Sequence, residues 1–165
     1  MQIKFTLFSV LTALFIATEA APTSKDAQYV FEIIDEQSFC AFMPPHPGDD
    51  VAGTEDDGIP FCTKADLGGQ VFPDGFIETV KFVKEDTYVQ VRATFNREAY
   101  SLSASDDGGQ YDYHDVSAQC KGYDYFVNIL GPSDELFCIR CCQDREDCNI
   151  NKSTEGCDAI MPDIM

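Results

Sequence analysis

The sequence has no tryptophan, only two histidines, and 11 lysines and arginines against 29 aspartates and glutamates, a formal net charge of −18. Each shortage excludes something. So strong an excess of negative charge repels phosphate, which argues against nucleic acid and against an anionic membrane surface. Without tryptophan, any aromatic stacking on a sugar falls to tyrosine and phenylalanine. Long hydrophobic runs are also scarce. The one clear run, "FTLFSVLTALFIA" from Phe5 to Ala17, is short of the ~20 residues that span a bilayer. The final "CDAIMPDIM" lacks the apolar tail of a lipid-anchor signal, so no membrane anchor is expected.

What is present at the N-terminus sets the compartment. Lys4 precedes the apolar run, and the small residues Thr18 and Ala20 follow it. This is the pattern of a secretory signal peptide over residues 1–20, cleaved before Ala21. Residues 21–37 read as a leader with a possible first strand, and residues 38–165 as a single cysteine-rich β domain. Cleavage removes Lys4 and Glu19 together, so the net charge is unchanged.

"FCIRCCQDREDC", Phe137 to Cys148, holds four of the eight cysteines. The full set is Cys40, Cys62, Cys120, Cys138, Cys141, Cys142, Cys148 and Cys157. An even number in an exported chain points to four disulfides. A zinc site would need reduced thiolates. The Cys138-x-x-Cys141 spacing suits a redox site only at a helix start after a strand, which this stretch does not resemble. Cys141 and Cys142 are neighbours, and strand neighbours point to opposite faces. Separate partners are therefore expected for them, and Cys40 is expected to join Cys62.

Along the chain, periodicity of two dominates. In Thr87–Phe95, Val89, Val91, Ala93 and Phe95 alternate with Tyr88, Gln90, Arg92 and Thr94, the pattern of a half-buried strand. Ile77–Val83 precedes it across a short connection, which predicts an antiparallel hairpin. A second hairpin is predicted from Tyr123–Leu130, the Gly131–Asp134 turn and Leu136–Cys142. Tyr29–Met43 reads as one or two strands, with a short helix as the alternative at its start. Asp49–Pro60, Ser103–Asp115 and the tail after Cys142 read as polar loops. The expected fold is all-β: a small, disulfide-stapled antiparallel β-sandwich or open barrel with long polar loops.

An ordered set of short motifs carries a resemblance. "FCAFMPP", "DDGIPFCT", "FPDGFI", "DTYVQV", "SDDGGQYDYH", "YFVNILGP" and "FCIRCCQDREDCN" together resemble fungal secreted cysteine-rich proteins of the macrophage-activating-glycoprotein-like type. The resemblance covers roughly Ser38 to Pro162. It implies a fungal protein, extracellular or at the cell wall, and transfers no active site.

Three kinds of site are suggested by the residues themselves. His114 with Asp112 or Asp115 is the strongest general-base pair, which would suit a small secreted hydrolase; His46 lies apart among prolines. Asp106, Asp107, Asp112 and Asp115 fall close together around Gly108 and Gly109, and calcium favours such oxygen-rich loops. Asp49, Asp50, Glu55, Asp56 and Asp57 form another acidic loop, and neither loop has EF-hand spacing. Tyr111, Tyr113, Tyr123 and Tyr125 would stack on a sugar if they shared a face. A copper polysaccharide monooxygenase is disfavoured, since Ala21 and not histidine is expected at the mature N-terminus. Asn151-Lys152-Ser153 is an N-glycosylation sequon. The leading expectation is a noncatalytic protein of the fungal surface or wall, with a wall glycan or a host surface protein as partner. The alternatives are the His/Asp hydrolase and a calcium-stabilised structural module, with no cofactor other than that calcium.

Overall fold

The computed structural model describes residues 27–162. The expected signal peptide and the start of the leader lie outside them. In chain order the strands are β1 (Tyr29–Phe31), β2 (Cys40–Met43), β3 (Ile59–Cys62), β4 (Gln70–Val71), β5 (Ile77–Lys84), β6 (Tyr88–Phe95), β7 (Gly109–Asp112), β8 (Ala118–Cys120), β9 (Tyr125–Gly131) and β10 (Leu136–Cys142). The one α-helical turn among the described residues is α1, Cys157–Ile160. The fold is therefore all-β, as the alternation of residues predicts, and its sheets do not close into a barrel.

A five-stranded antiparallel sheet of order β5-β6-β10-β9-β7 forms the centre. Both predicted hairpins are in it: β5 pairs with β6, and β9 with β10. Antiparallel pairing of β6 with β10 joins the two hairpins. A three-stranded sheet, β2-β3-β4, and a short parallel pair, β1-β8, complete the structure.

Because side chains alternate, the central sheet has two faces of different character. One face presents Val89, Val91, Ala93 and Phe95 of β6, Phe126 and Leu130 of β9, and Phe137, Ile139 and Cys141 of β10 to the main core. Phenylalanines from the N-terminal half meet them there. Phe42 of β2 stacks on Phe126 at 5.1 Å, Phe76 stacks on Phe95 at 4.8 Å, and Phe31 meets Phe126 edge-on at 5.2 Å. Such ring pairs add to simple area burial. The small sheet is thus a second layer. Asn128 faces the same way, and its Oδ1 accepts a hydrogen bond from the buried Phe42 N–H at 2.9 Å, which ties β9 to β2.

The opposite face carries Val127, Ile129, Cys138 and Cys142, with Tyr88, Tyr125 and Leu136 at its margin. The tail covers it. Ile160 and Met161, buried to 5% and 0% exposure, pack there beside Cys148 and Cys157. Polar residues share this interface: buried Arg140 donates through Nε to Gln90 Oε1 at 2.6 Å and through Nη1 to the Asp147 carbonyl. Its guanidinium lies 4.3 Å from the centre of the Tyr88 ring, a cation–π contact.

Four disulfides fasten these layers, and no cysteine is free. Cys40–Cys62 joins directly opposed residues of β2 and β3. Cys120–Cys141 ties β8 to the first face of β10. Cys142–Cys148 and Cys138–Cys157 pin the tail to the second face. The adjacent Cys141 and Cys142 hence take separate partners on opposite sides of one strand.

Two segments depart from the sequence-based expectation. The polar stretch Ser103–Asp115 contains a strand, β7, because Gln110, Tyr111 and Asp112 are buried and pair with β9. The approach is close: Gly108 has φ +92°, and a Cβ there would lie 2.0 Å from the Leu130 carbonyl oxygen. The tail is not a solvated loop either. Its sparse apolar residues are spaced widely, so no periodic signal marks them, but two disulfides hold them against the sheet. The start of Tyr29–Met43 is strand β1 and not a helix.

Candidate functional site

The turn after β7 gathers most of the suggested site residues. Asp112 ends the strand and is buried, 1% exposed. Its Oδ1 accepts from the His114 N–H at 2.7 Å, and its Oδ2 accepts from Gln110 Nε2 at 2.6 Å. The Asp112 backbone carbonyl accepts from the Val116 N–H. This carboxylate therefore shapes the turn, and both of its oxygens are engaged. The His114 ring is exposed, with Nδ1 2.7 Å from Asp115 Oδ1. The hydrogen bond to Asp115, and then its charge, push the imidazole pKa above its usual value. A histidine so placed stays protonated to higher pH than an unpaired imidazole.

The acidic residues are dispersed in role. Asp106 is buried; its Oδ2 accepts from the Val51 N–H at 3.0 Å and its Oδ1 from the Gly108 N–H at 2.8 Å. Asp107 is exposed and Asp115 faces His114. In the other acidic loop, Asp50 accepts from the Gly53 N–H and Glu55 from the Gln110 N–H. Asp49 is half-buried, and Asp56 and Asp57 are exposed. Among the described residues no three histidine, cysteine or acidic side chains are gathered as a metal would need.

The four tyrosines are distributed between different surroundings. Tyr111 is fully buried against Phe42, with its hydroxyl 3.1 Å from Thr54 Oγ1. Burial pushes its phenol pKa up. Gly58 makes room for that ring, since a Cβ there would lie 2.2 Å from it. Tyr123 is half-buried against the main core. Only Tyr113 and Tyr125 meet among these four, edge to face at 4.9 Å and 75°.

Tyr113 also opens onto a cleft of about 520 Å³, lined besides by Arg145, Glu146, Cys148, Asn149, Ile150 and Asn151. Its hydroxyl accepts from Arg145 Nε at 2.8 Å, which holds the ring at the cleft wall. The tail side of this cleft was missed by the sequence reading, apart from Asn151. The six-residue separation of Cys142 and Cys148 is the signal that returns Arg145–Asn151 to the sheet. Val30, Ile34 and Val71 are the large apolar side chains left exposed among the described residues.

Sequence comparison finds relatives for part of the chain. It is 33% identical over 78 residues to the appressorium protein ROW1 of Mycosarcoma maydis, covering 47% of this chain and 18% of that protein. It is 31% identical over 80 residues to the appressorium protein ROW2 of the same fungus, covering 47% of this chain and 28% of that protein. The chain thus spans less than a third of the length of either curated relative. No family model matches the sequence, and no solved structure matches it. The similarity is to fungal proteins. The four disulfides are those of a chain matured under oxidising conditions, and no described helix is long and apolar enough to cross a membrane.

Proposed function

We propose that this chain is a noncatalytic extracellular module of a fungal surface protein. It acts at the appressorium and contacts a wall glycan or a host surface component. The partial identity to two appressorium proteins is the observation that carries the reading. The chemistry of the described residues supports it at Asp112, whose two carboxylate oxygens are committed to turn structure. Within such surface proteins, the motif set favours the macrophage-activating-glycoprotein-like type. Secretion through the residue 1–20 signal peptide and retention at the wall follow from the same reading.

The test is twofold. A fluorescent fusion of the full chain should concentrate at the wall of infection structures, and the secreted protein should bind chitin, β-glucan, mannan or host-cell preparations saturably. A cytoplasmic fusion, or no saturable binding on any of these, would overturn the corresponding half. Hydrolysis of any of those polymers that disappears in His114→Ala would replace this reading with the hydrolytic one.

A further inference from the structure

The strongest unassigned feature is the cleft beside Tyr113, because a modifiable side chain stands on its own rim. Asn151 begins the sequon Asn151-Lys152-Ser153. It is exposed, and its side-chain amide is not engaged in a hydrogen bond among the described residues. Its backbone N–H donates to Asn149 Oδ1 at 2.9 Å, which fixes the turn. Asn151 thereby lines the same cleft as Tyr113, Arg145, Asn149 and Ile150.

We propose that Asn151 carries an N-linked glycan whose first N-acetylglucosamine seats in this cleft against the Tyr113 ring, so that the protein's own sugar is the cleft's ligand. In the transfer, Asn151 Nδ2 attacks C1 of the first sugar of a lipid-pyrophosphate oligosaccharide. The N–C1 bond forms, the C1–O bond to pyrophosphate breaks, and the amide loses one proton as the lipid pyrophosphate departs. The transferase and the lipid-linked donor are those of the secretory route, so this step rests on the secretion proposed above.

The chemistry of the wall suits a sugar. An amphipathic ring presents an apolar face to a pyranose, and Arg145, Glu146 and Asn149 supply polar groups around it. A volume of about 520 Å³ lies within the roughly 300–1,000 Å³ of small-ligand sites. Tethering decides between an attached and a free occupant. A group on a short linker has an effective concentration of order millimolar, which a free sugar would have to reach in bulk to compete. The attached sugar also clamps the tail, since Asn151 belongs to the tail and Tyr113 to the turn after β7.

The experiment uses the full chain secreted from a fungal host. Its mass should exceed that of Ser153→Ala by one glycan, and the glycopeptide should map to Asn151. A difference of only the one oxygen atom that the substitution removes overturns the proposal. Trimming with an endoglycosidase that leaves one N-acetylglucosamine should keep the melting temperature of the untrimmed protein, whereas Ser153→Ala should melt about 2–5 °C lower. In Tyr113→Leu the glycan should no longer raise the melting temperature; if its increment persists, the seat is wrong. A direct measurement guards against a Tyr113 variant that fails to fold. In the trimmed native glycoprotein, ring currents should shift the sugar protons upfield, with magnetisation transfer to the Tyr113 ring. Sugar protons at free-solution positions overturn the seating.

Discussion

Replacing Cys138 and Cys157 together by alanine tests what holds the tail on the second face. Their separation is 19 residues. The chain-entropy relation for a loop of that length gives about 11 cal/mol/K, or about 3.2 kcal/mol at 25 °C. A further contribution depends on whether the tail stays docked. Ile160 and Met161 are almost fully buried, and exposing them would cost about 1.5–3 kcal/mol each. The double variant should thus lose about 3 kcal/mol with the tail docked and about 6–9 kcal/mol with it released. The same relation gives about 2.2 kcal/mol for Cys142–Cys148, whose separation is only 6. Urea denaturation without reductant reads both variants, and limited proteolysis after residue 148 separates docked from released. A loss below about 1 kcal/mol for the Cys138/Cys157 variant, against the expected entropy term, would refute the clamp. So would a larger loss for the Cys142/Cys148 variant.

Asp106→Ala leaves the Val51 and Gly108 N–H groups without their carboxylate acceptor, and should cost about 2–4 kcal/mol in urea denaturation. Gly108→Ala puts a Cβ against the Leu130 carbonyl at positive φ; it should lower the urea midpoint with an unchanged slope, at a cost of about 3 kcal/mol. The His114 ring should titrate by NMR above the ordinary 6.5, and Asp115→Asn should bring the midpoint down. The sign is that of a raised folded pKa: this pair's small contribution is complete below pH 6.5 and is lost as pH rises through the raised value. A midpoint unmoved by Asp115→Asn would refute the assigned cause.

The sequence by itself determined the two central hairpins and the inner face of β6. The alternation in Tyr88–Phe95 and the cysteine-rich run of β10 are local patterns, and a period of two follows from backbone geometry alone. It also determined that Cys141 and Cys142 could not share a surface. Only the tertiary structure decided how Asp106 and Asp112 are used. Their carboxylates accept from Val51, His114, Gln110 and Gly108, and the 55-residue separation of Asp106 from Val51 is invisible to any local window. Likewise the four tyrosines share a sequence neighbourhood but not a face, since the β7 pairing sends Tyr111 into the core and leaves Tyr113 at the cleft. Two disulfides made a wall out of a tail whose composition reads as loop. Local spacing fixes which way a side chain points from its strand, but only long-range closure fixes what it meets there.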